Sequence, residues 1–362
     1  MNPDPAEVLR TPACDLFGVR YPIVQTGMGW VAGARLAAAT SSAGGLGIIA
    51  SATMTYGQLE QAIAEVKDRT ENPFGVNLRS DHAEVERFVA LLVREGVKVA
   101  SFAQAPSASL IGRLKEAGVV TMPTIAAPRH AEKVAALGVD AMIAQGHEGG
   151  GHTGPIPTSL LLPRVTSAVD LPVLGAGGFH DGRGLVAALA WGAAGIAMGT
   201  RFLLTKESTV PDDVKARYLA AALTDTVVTR SIDGAPQRVI RTDLVDRLEG
   251  RFRPGAAVRA AGNALRLRRL TDTSLRSLVK EGLAMKRNGD LSWAQVAMAA
   301  NAPMLTRATM VEGRLEAGIL PTGQVTGLIE ELPSVAELIE EIVAEATSTL
   351  TSLARRVGPA SS

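Results

Sequence analysis

The chain has 362 residues, a formal net charge of +1, and 46% hydrophobic but only 4% aromatic residues. The near-neutral charge gives no reason to expect nucleic acid as a partner, and the single cysteine, Cys14, excludes an internal disulfide and fits a reducing cytoplasm. No basic stretch followed by an apolar core opens the chain, and the longest uncharged run, 184–200, is rich in Gly and Ala, so we expect neither a signal peptide nor a membrane span.

Short apolar segments bounded by Gly or Pro alternate with amphipathic segments between Tyr21 and Ala220. The predicted strands are 21–27, 46–52, 74–79, 97–103, 119–125, 141–146, 172–178 and 195–201. Helical periodicity is clear in 57–69, 83–95, 108–117 and 130–137. Repeated strand–helix units form an open doubly wound sheet or a closed barrel, and eight units favour an α/β fold of the (β/α)8 TIM barrel type, because eight strands close around an interior that side chains fill.

The pattern changes after the predicted barrel. Residues 224–241 predict a hairpin around Asp233-Gly234, 255–300 predict strongly basic helices, and 324–347 predict an amphipathic helix pair broken at Pro333. We therefore expect a barrel domain at 15–222. A second domain at 223–350 would comprise the hairpin and a C-terminal basic helical cap, with its final helices packing back on the barrel.

Glycines end the seventh and eighth predicted strands. Gly175, Gly177 and Gly178 end the seventh, and Gly199 and Thr200 end the eighth. Glycine lets backbone N–H groups approach a phosphate closely, and TIM barrels often bind phosphate after these two strands. Tight turns alone would explain the same glycines, but the pattern at both strand ends favours a phosphate site.

The loop after the sixth strand, 145–154, is unusually rich in glycine. Gly150 and Gly151 would let it wrap around a flat ligand, and His152 follows directly. Because histidine transfers protons near neutral pH, His152 is the candidate catalytic residue, with a structural histidine as the alternative. We predict no metal site, since the two loop histidines and Glu148 lack a further carboxylate or cysteine ligand.

Three amide side chains, Gln25, Asn77 and Gln145, end the first, third and sixth strands. Amides can hydrogen-bond the edge of an isoalloxazine ring, which presents both donors and acceptors, although loop capping explains them equally well. The end of the first strand, Gln25, Thr26, Gly27 and Met28, is assigned to the same cofactor site.

These segments carry a family resemblance. The motifs are QTGMGW at 25–30, AGGLGIIA at 43–50, FGVN at 74–77, QGHEGGGHTG at 145–154, PVLGAGGFHDGRG at 172–184 and GAAGIAMGTRFLLT at 192–205. They resemble the nitronate monooxygenase family, which is itself similar to flavin-type enoyl-acyl-carrier-protein reductases. The resemblance implies an FMN-binding barrel with a smaller helical domain, a base or donor at His152, a cofactor amide at Asn77, and phosphate glycines at Gly178 and Gly199.

Two further stretches, VQTGMGWVAGARL and LSWAQVAMAANAPML, are most similar to the branch of flavin-dependent dehydrogenases of steroid C/D-ring breakdown. That likeness implies α,β-dehydrogenation of a hydroxy-methyl-oxo-octahydroindene carboxyl-CoA, with NAD as final electron acceptor. Oxidation of alkyl nitronates with O2 is the alternative activity, and a non-catalytic barrel that senses a phosphorylated ligand is a third interpretation.

The basic segment 259–287 fits a CoA ester, because the phosphates of CoA call for Arg and Lys. We expect Arg266, Arg269 and Arg276 to bind the substrate there, and a solvated helix face is the alternative. A homodimer is compatible with the sequence.

Overall fold

The computed structural model describes residues 4–249 and 293–357, of which 293–301 are described by their backbone alone. Eight parallel strands form a closed barrel in the order β1-β2-β3-β4-β5-β6-β8-β9. They are β1 Ile23–Gln25, β2 Leu46–Ala50, β3 Phe74–Leu78, β4 Val99–Phe102, β5 Val120–Ile125, β6 Met142–Gln145, β8 Val173–Ala176 and β9 Gly195–Met198. The predicted TIM barrel is confirmed, with each strand at its predicted place and shorter at its ends.

Helices α1 Pro5–Val8 and α2 Pro12–Phe17 precede the barrel strands. The helices that follow successive strands are α3 Ala34–Ser42, α4 Tyr56–Arg69, α5 Val85–Arg94, α6 Ala108–Glu116, α7 Pro128–Ala136, α8 Thr158–Thr166, α9 Gly182–Ala190 and α10 Thr200–Leu203. Later in the chain come α11 Asp212–Leu219, α12 Asp243–Glu249, α13 Trp293–Met310 and α14 Val335–Val357. No helix in the described ranges is both long and apolar enough to cross a bilayer.

The barrel strands are buried on both faces, which explains their uninterrupted apolar sequences. All five residues of β2 are buried, and Val24, Leu46, Ile48 and Leu174 pack in one cluster. A Cβ at Gly47 would lie 2.0 Å from the carbonyl oxygen of Ala37, so α3 packs directly on the β2 backbone. Close packing of this kind needs the small residues that dominate the composition.

Two compact units divide the described chain. The barrel unit comprises the described residues of Met1–Gly149, Gly154–Thr209 and Ile329–Ser362, and the hairpin unit those of Gly150–Thr153 and Val210–Leu328. The predicted boundary between 222 and 223 and the basic helical cap stay predictions, because residues 250–292 lie outside the described part.

The hairpin unit contains a three-stranded antiparallel sheet in the order β10-β11-β7. Strands β10 Thr226–Thr229 and β11 Gln237–Ile240 form the predicted hairpin, which is confirmed. The third strand, β7 Gly151–His152, comes from the glycine-rich loop and was not predicted, because two residues are too short to show an alternating pattern.

The C-terminal segment differs from its prediction. A short 3₁₀ turn, Gln324–Leu328, precedes a single helix, α14, which packs on α9 and α3 within the barrel unit. Ser334 starts α14 with a capping box, in which the Glu337 N–H donates to Ser334 Oγ and the Ser334 N–H donates to Glu337 Oε2. Because this capping box directly follows Pro333, the helix starts after the proline. Pro333 therefore precedes one helix and does not separate two.

Candidate active site

The carboxyl ends of β1 and β9 meet in the barrel unit. The Thr26 N–H donates to the carbonyl oxygen of Met198 at 3.1 Å. A Cβ at Gly199 would lie 3.3 Å from Met28 Sδ and 3.4 Å from Thr26 Oγ1. The structure therefore brings together Thr26, Met28 and Gly199, which the sequence assigned to one cofactor site. Thr200 follows as the first residue of α10.

The turn after β8 requires glycine. Gly177 and Gly178 have φ values of +87° and +90°, which side-chain-bearing residues rarely adopt. A Cβ at Gly177 would lie 2.9 Å from Gly149 N, whereas at Gly178 the nearest neighbour would be Glu148 Cβ at 3.8 Å. Gly178 is exposed, and a Cβ there would make only ordinary van der Waals contacts, so an anion can approach this part of the backbone closely.

Gly175 is different from the glycines that follow it. It lies within β8 and is buried, and a Cβ there would meet Leu162 at 2.6 Å and Phe179 at 2.9 Å. Packing explains this glycine, and its assignment to the cofactor site stays a prediction.

A buried cation follows Thr200. Arg201 is 6% exposed and donates to the carbonyl oxygen of Glu331 at 3.1 Å, while its Nε has no hydrogen-bond partner among the described residues. Burial lowers the pKa of Arg201 against the opposing effect of Glu341 and Glu331, but arginine remains charged.

Glu148 and Thr158 hold the loops around the β8 turn together. The sequence indicated Glu148 only as a rejected metal ligand and did not single out Thr158. Glu148 Oε2 accepts the Thr158 N–H at 2.9 Å and lies 2.8 Å from Thr158 Oγ1. Thr158 Oγ1 also lies 2.8 Å from the carbonyl oxygen of Gly177. The sequence did carry a signal for Thr158, which is the first residue of α8 and directly follows Pro157. Threonine side chains near the start of a helix often form hydrogen bonds with nearby backbone groups.

The β8–α9 turn is also held at its far end. The Gly182 N–H donates to Glu345 Oε2 of α14 at 2.7 Å, and Arg183 Nε lies 3.1 Å from Glu345 Oε1. Asp181 caps α9 by accepting the Gly184 N–H at 2.8 Å. The turn that carries Gly178 is therefore fixed by contacts on both sides.

Two of the predicted flavin amides hold barrel strands together. Gln25 is fully buried, and its amide donates to the carbonyl oxygen of Ile48 at 3.1 Å and accepts the Ile48 N–H at 3.3 Å. Asn77 Nδ2 donates to Ser101 Oγ at 2.8 Å, and a Cβ at Gly27 would lie 2.4 Å from Asn77 Cβ. These contacts join β1 to β2 and β3 to β4, and contacts with a flavin stay a prediction.

The third amide, Gln145, packs beside the β6 loop. A Cβ at Gly149 would lie 2.7 Å from Gln145 Nε2, so this glycine makes room for the amide side chain. His147 in the same loop places Nδ1 2.8 Å from the carbonyl oxygen of Gly154.

In the hairpin unit, strand pairing positions His152. His152 pairs with Gln237 and Gly151 with Arg238, and the Thr153 N–H donates to the carbonyl oxygen of Pro236 at 3.1 Å. Gly151 has a φ of +65°. A Cβ at Gly150 would lie 2.4 Å from the carbonyl carbon of Thr322. Backbone geometry and packing explain these two glycines, and their contact with a cofactor stays a prediction.

His152 forms a hydrogen bond with Asp233, a residue that the sequence indicated only as part of a turn. His152 Nε2 lies 2.7 Å from Asp233 Oδ2, with the histidine side chain 65% exposed and the aspartate 22% exposed. Burial raises the pKa of Asp233, but hydrogen bonds from His152 and Gln237 more than offset it, and the pKa lies below its ordinary value. Asp233 is therefore ionised at neutral pH.

The loop residues considered for a metal site each have a different partner. His147 contacts a backbone carbonyl, Glu148 contacts Thr158, and His152 contacts Asp233. The predicted substrate residues Arg266, Arg269 and Arg276 lie outside the described residues.

Comparison with protein families gives one match across most of the chain. The family model described as nitronate monooxygenase matches residues 10–88 and 84–345. Two similar curated relatives are each described as a (3aS,4S,5R,7aS)-5-hydroxy-7a-methyl-1-oxo-octahydro-1H-indene-4-carboxyl-CoA dehydrogenase. The Rhodococcus jostii protein is 57% identical over 95% of this chain and 98% of its own length. The Mycobacterium tuberculosis protein is 58% identical over 94% and 97%.

Solved structures give the same fold. FabK from Thermotoga maritima has a TM-score of 0.79 and 35% identity, covering 96% of this chain and 99% of its own. A nitroalkane oxidase from Streptomyces ansochromogenes has a TM-score of 0.72 and 30% identity, covering 94% and 99%. The family match, the close relatives and the closed barrel agree with the sequence motifs. This chain belongs to the nitronate monooxygenase family of flavin-dependent oxidoreductases.

Proposed function

We propose that this protein is an FMN-dependent dehydrogenase that introduces an α,β double bond into a hydroxy-methyl-oxo-octahydroindene carboxyl-CoA of steroid-ring degradation, with NAD as final electron acceptor. The observation that carries the proposal is the 57–58% identity, along nearly the whole length, to two relatives described as dehydrogenases of such a CoA ester.

The barrel unit fits the phosphate of FMN. Gly178 offers an open backbone position at positive φ, Gly199 ends the adjacent strand, and the buried Arg201 supplies a positive charge behind Thr200. We assign the phosphate to Gly177, Gly178, Gly199 and Thr200. One phosphate site fits FMN, and no G-x-G-x-x-G dinucleotide motif follows the first strand.

We assign removal of the substrate α-proton to His152, whose imidazole is suited to proton transfer at neutral pH. The flavin, when bound, supplies the acceptor for the hydride that leaves the β-carbon. The thioester carbonyl makes the α-proton acidic, so a single base suffices on the protein side. We assign the CoA phosphates to Arg266, Arg269 and Arg276, whose guanidinium groups bind phosphate with paired hydrogen bonds.

Oxidation of nitronates with O2 is the second candidate. It is supported by the family description and by the 30% identity to a solved nitroalkane oxidase. The same His152 would remove the acidic proton of a nitroalkane, so the two activities differ in substrate and electron acceptor more than in the base.

The test combines cofactor release with two turnover assays. The purified protein should carry a flavin that is released as FMN, should reduce NAD with the ring CoA ester, and should consume little oxygen with a nitroalkane. Bound FAD would contradict the cofactor assignment, and oxygen uptake with a nitroalkane but no NAD reduction with the CoA ester would favour the second candidate.

The CoA assignment has its own test. Replacing Arg269 and Arg276 together with Gln should raise KM for the CoA ester at least about 100-fold, since each of the two charge-assisted contacts typically contributes about 1.5–3 kcal/mol. A shortened thioester without the nucleotide is the matched control and should keep its KM. Equal effects on both substrates would mean that these arginines do not read the CoA phosphates.

A further inference from the structure

The hairpin unit contains an Asp–His pair whose two partners are far apart in the chain. His152 comes from the glycine-rich loop and Asp233 from the turn between β10 and β11, yet Nε2 and Oδ2 lie 2.7 Å apart. The pair is fixed from both sides, because β7 pairs with β11 and because Asp233 Oδ1 accepts the Ala235 N–H at 3.0 Å. Of the two carboxylate oxygens, Oδ1 bonds within the turn and Oδ2 bonds the histidine, and the Gln237 side chain also donates to this carboxylate.

The chemistry of the two groups decides where the imidazole proton lies. An ionised carboxylate only accepts hydrogen bonds, whereas a neutral imidazole has one N–H and one lone pair. The Asp233 carboxyl is ionised at neutral pH, so the contact at 2.7 Å requires the N–H on Nε2 of His152. The proton-accepting lone pair of the neutral ring is then on Nδ1.

We propose that Asp233 is a positioning residue for His152, which accepts the Nε2–H hydrogen bond and makes Nδ1 the nitrogen that takes the substrate proton. The carboxylate also stabilises the imidazolium that forms when Nδ1 gains this proton, so the proton ends on the ring and the pair becomes an ion pair. The inference rests on the proposed function, in which His152 removes the α-proton. It adds the atom that reacts and the residue that orients it.

Asp233→Asn is the informative variant. An asparagine Oδ1 still accepts the Ala235 N–H and keeps the turn, while the negative charge of the carboxylate beside His152 is lost. Loss of such an orienting partner typically costs about 10–100-fold in activity. We therefore expect flavin reduction by substrate in single-turnover mixing to slow about 10–100-fold, with KM and flavin content unchanged. Asp225→Asn is the matched control, since Asp225 caps a turn of the same unit by accepting the Ala222 N–H at 2.9 Å.

A spectroscopic measurement reads the tautomer without turnover. In the flavin-loaded full-length protein with ¹⁵N-labelled histidine, long-range ¹H–¹⁵N correlations assigned with His152→Gln should show the neutral His152 ring protonated on Nε2. Asp233→Asn should populate the Nδ1–H form, since the asparagine amide can donate to Nε2. An Nδ1–H ring in the unchanged protein would overturn the proposal.

The outcomes also separate this inference from the proposed function. If His152→Ala slows flavin reduction while Asp233→Asn leaves it at the wild-type rate, the positioning role is wrong and the function stands. If the protein oxidises a nitroalkane and not the CoA ester, the proposed substrate is wrong. The tautomer and the rate of Asp233→Asn with the nitroalkane would still decide the role of Asp233.

Discussion

The barrel unit and the hairpin unit present their candidate functional groups in different ways. At the ends of β8 and β9 the barrel unit presents backbone, with Gly178 open at positive φ and Gly199 beside Met28. The hairpin unit presents one side chain, His152, oriented by the distant Asp233. A binding site formed by backbone groups can be predicted from the glycines that it needs, because they lie close together in the sequence. A pair of side chains that only folding brings together has no such local pattern.

Replacing His152 tests the side-chain part of this contrast and carries the largest expected effect. His152→Ala should slow flavin reduction by substrate about 10²–10⁴-fold, the usual scale for losing a general base. Flavin content should stay normal, because the phosphate glycines are untouched. An unchanged rate in single-turnover mixing would show that His152 has only a structural role.

Acidic replacements of glycine test the backbone part. Gly178→Asp and Gly199→Asp should lose flavin yet remain folded, because each puts a carboxylate where we assign the phosphate, and the two like charges repel each other. Gly57→Asp is the control, since a Cβ there meets nothing within 4 Å. Flavin content is read from the visible spectrum, and full occupancy in both variants would place the phosphate elsewhere.

A smaller effect is expected where α14 holds the backbone site. Glu345→Ala removes the acceptor of the Gly182 N–H and should lower the free energy of unfolding by about 1 kcal/mol, the usual value of a helix-start contact. Affinity for FMN should fall more than affinity for riboflavin, which has no phosphate. Glu340→Ala, on the exposed face of the same helix, should change neither quantity. Equal weakening of both flavins would show that Glu345 does not position the phosphate turn.

The smallest expected effect concerns the pH dependence of stability in the hairpin unit. Because the pKa of Asp233 is below its ordinary value, its stabilisation is present above about pH 3.9, the ordinary value for Asp, and is lost as the pH falls through the lower folded value. The difference in unfolding free energy between wild type and Asp233→Asn should therefore shrink in acid. Denaturant titrations at a series of pH values measure it, and a difference independent of pH would contradict the ionic contribution.

Sequence patterns were sufficient for the barrel because each strand is a local apolar segment and the helices have their own periodicity. The eight strands and the hairpin at Asp233-Gly234 were found at their predicted places. The start of α14 was missed although Ser334 and Glu337 have the spacing of a capping box, so that signal was available.

Other features of the site were not predictable, because they depend on contacts between distant segments. Glu148 bonds Thr158 and Gly182 bonds Glu345 only after the chain has folded. Likewise, the hydrogen bonds of Gln25 to Ile48 could not be read from a glutamine at a strand end. Local patterns identify the ends of strands but not the partners of their side chains.

The order of segments along the chain has a consequence for synthesis. The barrel unit receives its last helix, α14, only after all of Val210–Leu328 has been made, although α9 of the same unit is much earlier in the chain. A Cβ at Gly182 would lie 2.4 Å from Ala346 N and Ile342 O, so the backbones of α9 and α14 are in direct contact at this glycine. On the ribosome, this face of α9 stays uncovered until residues near 346 emerge, and the nascent barrel exposes apolar surface during that interval. Chaperone binding to nascent chains should therefore end when α14 has left the exit tunnel.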